Sequence, residues 1–197
     1  MILLALVLTL WSVPAQASTS ATAEGHASKA FQKELKAKHI KLKKYSCGGT
    51  VLYADAKLPK KRVQFVRKCI KSLPKQIRKK AKRVYFVRKK YYLLTGTGLK
   101  PTSGYTLFPA REVWLYNCSD SDELMDTVFH EFAHCWDWSI KKQKFTLSTT
   151  NQWEQIYVSW LGATDDPCEW FAYCFAELWT MLQDPDFSYI YKHLVGG

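Results

Sequence analysis

Residues Val128 to Asp137 read Val-Phe-His-Glu-Phe-Ala-His-Cys-Trp-Asp, and they restrict this chain more than any other stretch. They contain the pattern H-E-x-x-H. On a helix, His130 and His134 stand one turn apart on the same face. Two imidazoles at that spacing can hold one Zn²⁺, and Glu131, rotated around the helix, can take a proton from water at that metal. The flanks predict the helix. Leu124, Met125, Val128, Phe129, Phe132 and Trp136 recur at helical spacing and form a stripe to bury. Ser119, Asp120, Asp122 and Glu123 supply a cap and the acidic first turn that suit a helix N-terminus. Two buried histidines without a metal are the plainer alternative. Average residue usage produces a chance H-E-x-x-H in a chain of this length roughly once in a hundred sequences, and here motif, cap and stripe agree.

A zinc centre that does chemistry takes three protein ligands and keeps one position for water. The longer pattern H-E-x-x-H-x-x-G-x-x-H is not continued. Its glycine position is Asp137, its third histidine position is Ile140, and no histidine follows until His193. A later glutamate is therefore the natural third ligand. Two compete on one expected helix, which Asp166 caps and Pro167 opens: Glu169 and Glu177. They stand about 12 Å apart along that helix, so one metal cannot use both. Glu169 can instead close a capping box onto Asp166, and Glu177 can be a surface acid, so the residues alone leave the choice open. Asp137 is a candidate to orient an imidazole, or a plain surface acid near the helix end.

The N-terminus reads as an export signal. Ile2 to Val13 is almost wholly apolar, and Ala15-Gln16-Ala17 forms a cleavage site. The run is too short to span a bilayer comfortably. A secreted protein is expected, with a signal peptide over 1–17 and no transmembrane segment once it is removed. Export permits disulfides among Cys47, Cys69, Cys118, Cys135, Cys168 and Cys174. Six cysteines allow many pairings, and Cys47 with Cys69 is preferred because both lie in the basic half.

That half is extreme. Residues 1–100 carry 24 Lys/Arg against 3 Asp/Glu, a net +21, and residues 101–197 carry 5 against 14, a net −9. The expected partner is an anionic surface polymer such as a wall, lipid or glycan, and the plainer reading is a solvated lysine face. Nucleic acid is not expected, because no nucleic-acid motif accompanies the lysine runs. Hydrophobic residues make up 47%, enough for a sizeable core in a single monomeric domain.

A basic extension over 18–58 is expected to hold a short charged helix, Lys29 to Lys38, and a strand, Val51 to Ala54. The main domain spans 59–197. It opens with a helix from Pro59 to Pro74 and a strand from Arg83 to Arg88. Gly96, Gly98, Pro101 and Gly104 mark a long loop. Strands follow over Tyr105 to Phe108 and Glu112 to Tyr116, ahead of the H-E-x-x-H helix. A strand beside that helix can hold an extended peptide by edge pairing. Ser148 to Leu161 reads as a packed helix ended by Gly162, and the last major helix starts at Pro167.

Together these segments resemble the anthrax lethal factor-like zinc peptidases, which include the secreted Pro-Pro endopeptidases. The likeness runs through Leu73-Pro74, the strand 83–88, Gly104-Tyr105, the strand 112–116, His130 to Asp137, Ile156-Tyr157, and Glu169-Trp170-Phe171-Ala172 with Phe175. It spans roughly residues 60–185 and is specific at the two helices. It implies an α+β fold, a compact zincin with a small mixed sheet, an H-E-x-x-H helix and a later helix carrying the glutamate ligand. The cleft would lie between the edge strand and the first of these helices. It further implies a secreted zinc-dependent endopeptidase acting on peptide or protein substrates. His130, His134 and Glu169 would hold Zn²⁺, and Glu131 would be the catalytic base. One position departs from the family: the tyrosine seven residues before the ligand glutamate, an oxyanion donor, is Gly162 here. Tyr173, one turn past Glu169, and Tyr157 are candidate replacements. Two other readings stay open. One is a zinc-binding secreted protein without activity; the other is a basic surface-binding module with an incidental H-E-x-x-H.

Overall fold

The apolar runs of this chain are short, and most become strands of one sheet. The computed structural model describes residues 33, 35–36, 39–88, 91–95, 98–108, 110–116, 118, 120–155 and 166–183. In chain order the elements are β1 (Leu42–Ser46), β2 (Val51–Asp55), α1 (Lys60–Ser72), α2 (Lys75–Arg78), β3 (Arg83–Val87), β4 (Tyr91–Thr95), β5 (Gly98–Thr102), β6 (Gly104–Leu107), β7 (Glu112–Tyr116), α3 (Ser121–Asp137), β8 (Trp138–Ser139), β9 (Lys144–Phe145) and α4 (Pro167–Gln183). This is an α+β fold.

Five strands form a mixed sheet in the order β1-β2-β3-β7-β6. β2, β3 and β7 run parallel, and the outer strands β1 and β6 are antiparallel to their neighbours. Parallel strands are covered on both faces and so read as continuous apolar runs. β7, Glu-Val-Trp-Leu-Tyr, is buried at every position. Parallel neighbours also need a crossover connection, and α1 with α2 supplies it between β2 and β3.

Side-chain alternation splits the interior into two layers. Leu52, Val84, Phe86, Val113 and Leu115 face one way and pack with Val63, Val66 and Ile70 of α1 and with Leu124, Val128, Phe129 and Phe132 of α3. Tyr85, Val87, Trp114, Tyr116 and Leu107 face the other way. There the rings of Tyr53, Tyr85 and Trp114 stack in series, with centroids 5.3 and 4.3 Å apart. The expected stripe of α3 is thus the helix face laid on the sheet, with Met125 and Trp136 at its margin.

Local chemistry fixes where the two site helices begin. Asp120 caps α3, its Oδ1 accepting the Asp122 amide at 2.6 Å and the Glu123 amide at 3.4 Å. Asp166 caps α4 by accepting the Cys168 amide at 3.0 Å, with Pro167 at the first helical position. Arg62 of α1 donates to the Cys118 carbonyl and to Ser121 Oγ, tying α1 to the start of α3. Thr180 of α4 donates to Asp126 of α3.

Several expectations need correction. The loop marked by Gly96, Gly98, Pro101 and Gly104 is largely a hairpin, β4 paired antiparallel with β5, and Tyr92 stands opposite Pro101. Glycines punctuate a hairpin as readily as a loop, and a two-stranded ribbon has open edges where a residue lacking N–H is tolerated. The boundary drawn at residue 58 does not follow a break in the sheet, because β1 and β2 are its first two strands. No disulfide is present: all six cysteines are free, and Cys47 and Cys69 are separate thiols in the main core. Buried thiols pack as small apolar side chains. Burial pushes Cys69 up to about 12 and Cys118 up to about 11.

Residues 33, 35 and 36 of the expected first helix are helical, and so are 151–155 of the helix expected from Ser148. The signal segment 1–17, Tyr157 and Gly162 lie outside the described residues. No helix among the described residues is long and apolar enough to cross a membrane.

Candidate metal centre

α3 packs against α4, and the contact brings together three side chains far apart in sequence. The carboxylate of Glu169, in the first turn of α4, straddles both imidazoles of α3. Its Oε2 is 3.2 Å from His130 Nε2 and its Oε1 is 3.4 Å from His134 Nε2. The two Nε2 atoms are 3.0 Å apart, and the rings are nearly perpendicular at 88°. His130, His134 and Glu169 form a group able to hold a metal ion, with one ligand atom from each lying within 4.8 Å of the others.

The donor triangle can be tested against a metal. With bonds of about 2.0–2.1 Å, two ligands of a tetrahedral zinc stand about 3.3 Å apart. The two imidazole nitrogens stand 3.0 Å apart, and each lies 3.2 or 3.4 Å from a different oxygen of the Glu169 carboxylate, close to that value. The two imidazole nitrogens and the carboxylate therefore suit a zinc ion as ligands. Glu169 is partly buried where the two helices pack, its side chain 20% exposed. Burial pushes its carboxyl up, but hydrogen bonds from His130 and His134 outweigh burial and hold it well below the usual carboxylate range.

The two competing glutamates occupy different places in the structure. Glu169 spends its carboxylate on the imidazoles; only its backbone amide bonds to Asp166, through the Asp166 carbonyl at 3.1 Å. Glu177 is exposed and outside the group, and its carboxyl is raised by partial burial and by the charge of Asp126.

Asp137 has a different task from the one expected. It is fully buried, and its Oδ1 accepts the amides of Leu147 at 2.5 Å and Ser148 at 3.0 Å. It pins the segment after β9 to the end of α3. Among the described residues it makes no hydrogen bond to either imidazole, and neither histidine Nδ1 has a partner there.

Glu131 lies beside the donor group and is almost fully buried. Burial pushes its carboxyl up to about 7, against the opposing effects of His130 and of a hydrogen bond from Thr106. A carboxyl in that range can take and give a proton near neutral pH. Tyr173 sits over His130, with ring centroids 4.6 Å apart and planes tilted by 59°. Burial, then the charges of Glu169 and Glu131, push its phenol up to about 12, so it stays a hydrogen-bond donor.

Sequence reasoning missed two features. Phe108, Trp138 and Phe145 pack on one another with centroids 5.1–5.2 Å apart and flank His134 at 6.2 and 6.4 Å through Phe108 and Phe145. Thr106 of β6 hydrogen-bonds Glu131. Strand alternation carried a signal for Thr106: it is the polar residue between Tyr105 and Leu107, on the side of the strand that turns toward the helix.

Scans of protein-family models and of curated proteins find no match to this chain.

Proposed function

We propose that this chain is a secreted zinc-dependent endopeptidase of the anthrax lethal factor-like kind, with a zincin arrangement of sheet and helices. The observation that carries this reading is the convergence of His130, His134 and Glu169 into one group able to hold a metal ion, with the buried carboxylate of Glu131 alongside.

His130, His134 and Glu169 would hold Zn²⁺. Bound there, zinc supplies Lewis-acid polarisation of a carbonyl and acidification of water. The chain's own groups do the rest. β6 has one strand neighbour among the described residues, so its outer edge can pair with an extended peptide beside α3. Glu131 takes a proton from the attacking water as oxygen bonds to the scissile carbon. It returns that proton to the amine as the C–N bond breaks. Tyr173 donates toward the carbonyl oxygen, where negative charge develops. The apolar segment with its A-x-A site over 1–17 supports secretion, and the Lys-rich half supports an anionic surface polymer as partner.

The test is hydrolysis of a peptide library by purified protein, with metal content measured alongside. Cleavage is expected, and Glu131→Gln should keep its zinc while hydrolysis falls by about 10²–10⁴. Zinc without cleavage would replace this reading with an inactive zinc-binding protein. Absence of metal binding would leave a basic module whose H-E-x-x-H is incidental.

A further inference from the structure

We infer that edge strand β6 aims the proton-transferring carboxylate: Thr106 grips one oxygen of Glu131, and Gly104 clears the space in which its side chain lies. The inference rests on the reading of Glu131 as the base.

Alternation along β6 assigns the faces. Leu107 belongs to the second core layer and Tyr105 packs against it, so Gly104 and Thr106 turn toward α3. The two positions meet Glu131 in different ways. A Cβ at Gly104 would come within 2.8 Å of both Cγ and Oε1 of Glu131, and within 2.5 Å of Thr127 Cγ2. The Glu131 side chain therefore occupies the room that glycine leaves. Thr106 is 3% exposed, and its Oγ1 lies 2.5 Å from Glu131 Oε2 and 3.1 Å from the Glu131 carbonyl oxygen. A hydroxyl has one proton to donate, and the ionised carboxylate at the shorter distance is the stronger acceptor.

The consequence is directional. A glutamate side chain turns about several bonds, and a base works only within hydrogen-bond reach of the proton it takes. With Oε2 held by Thr106, the remaining oxygen has a restricted path. The strand proposed to pair with substrate is the strand that holds the base. Substrate position and base position are thus set by the same three residues, 104–106. Thr106 acts through Glu131 and is a positioning residue.

The experiment compares Thr106→Val, which keeps shape and removes the hydroxyl, with Thr106→Ser, which keeps the hydroxyl. Thr106→Val should bind zinc like the parent, leave KM within about twofold and lower kcat tenfold or more, and Thr106→Ser should recover most of that kcat. Where Val does not fold, Thr106→Ala takes its place. A second readout does not need turnover. Thr106→Val should lower Tm more in the parent than in a Glu131→Leu background, because the bond it removes is absent from the latter. Equal Tm shifts, or parental kcat in Thr106→Val, would overturn the positioning role and leave Glu131 as base. If Glu131→Gln itself cleaves like the parent, the base assignment falls and this inference falls with it.

Discussion

Replacing Glu169 should uncouple zinc from stability, and replacing Glu177 should not. The carboxylate of Glu169 faces both imidazoles at 3.2 and 3.4 Å, whereas Glu177 lies two turns further along α4 and outside the donor group. Metal that binds only the folded chain stabilises it by RT ln(1 + [Zn]/Kd), which is about 2.7 kcal/mol at a hundredfold excess over Kd. A chain of 197 residues gains about 2–4 °C of Tm per kcal/mol. Adding zinc to stripped parent protein should therefore raise Tm by about 5–11 °C. Losing a partner that merely orients a ligand typically costs 10–100-fold in metal affinity, and losing a ligand itself should cost at least the upper end. At the same zinc concentration the stabilisation of Glu169→Ala would then shrink to about 0.4 kcal/mol, a shift of about 1–2 °C. Glu177→Ala should keep the parental shift. The assay is thermal unfolding of EDTA-stripped protein across a zinc titration, with bound metal counted separately. A full zinc shift in Glu169→Ala, or its loss in Glu177→Ala, would refute the assignment of the third ligand.

Three further outcomes follow from the geometry. Gly104→Ala drives a methyl into Thr127 and Glu131, so it should cost about 1–3 kcal/mol of stability by overpacking, and kcat should fall in the molecules that remain folded; parental kcat and Tm would show that β6 has room to spare. Tyr173→Phe should retain zinc and lower kcat tenfold or more, and unchanged kcat would remove Tyr173 as the donor to the carbonyl oxygen. Retention of the full chain on an anionic polymer should weaken steeply with salt, because exposed charges are screened beyond about 10 Å at 0.1 M; salt-independent retention would leave a solvated lysine face.

Legibility in the sequence followed the range of the interactions. α3 could be read because its cap, acidic first turn and apolar stripe all lie within one continuous stretch, Asp120 to Asp137. β3 and β7 could be read because strands buried on both faces need continuous apolar runs. β1 was harder: it is an edge strand with an exposed Lys43 and Lys44, and its polar side hides its place in the sheet. The third ligand was ambiguous because Glu169 suits a capping box as well as a metal, and only the packing of α4 on α3 brings its carboxylate to the imidazoles. Cysteine pairing was illegible for a similar reason, since bridging depends on Cα distances that spacing along the chain does not contain. The role of Asp137 was missed because the donors to its carboxylate, the amides of Leu147 and Ser148, lie beyond a short hairpin.

The order of strands also gives the charge asymmetry a physical meaning. Residues 56–82 hold twelve Lys/Arg and no Asp/Glu, and they form the crossover α1–α2 between β2 and β3. Those helices share a core layer with α3, Val63, Val66 and Ile70 lying with Leu124, Val128, Phe129 and Phe132. None of their cations is among the charges that shift Glu131 or Glu169. Surface attachment through the exposed lysines and hydrolysis at the donor group can therefore vary independently. Replacing Lys68 and Lys71 on the exposed side of α1 should then reduce retention on an anionic polymer without changing kcat on a short neutral peptide. A matched loss of both would mean that α1 and the donor group are coupled through the layer that α1 shares with α3.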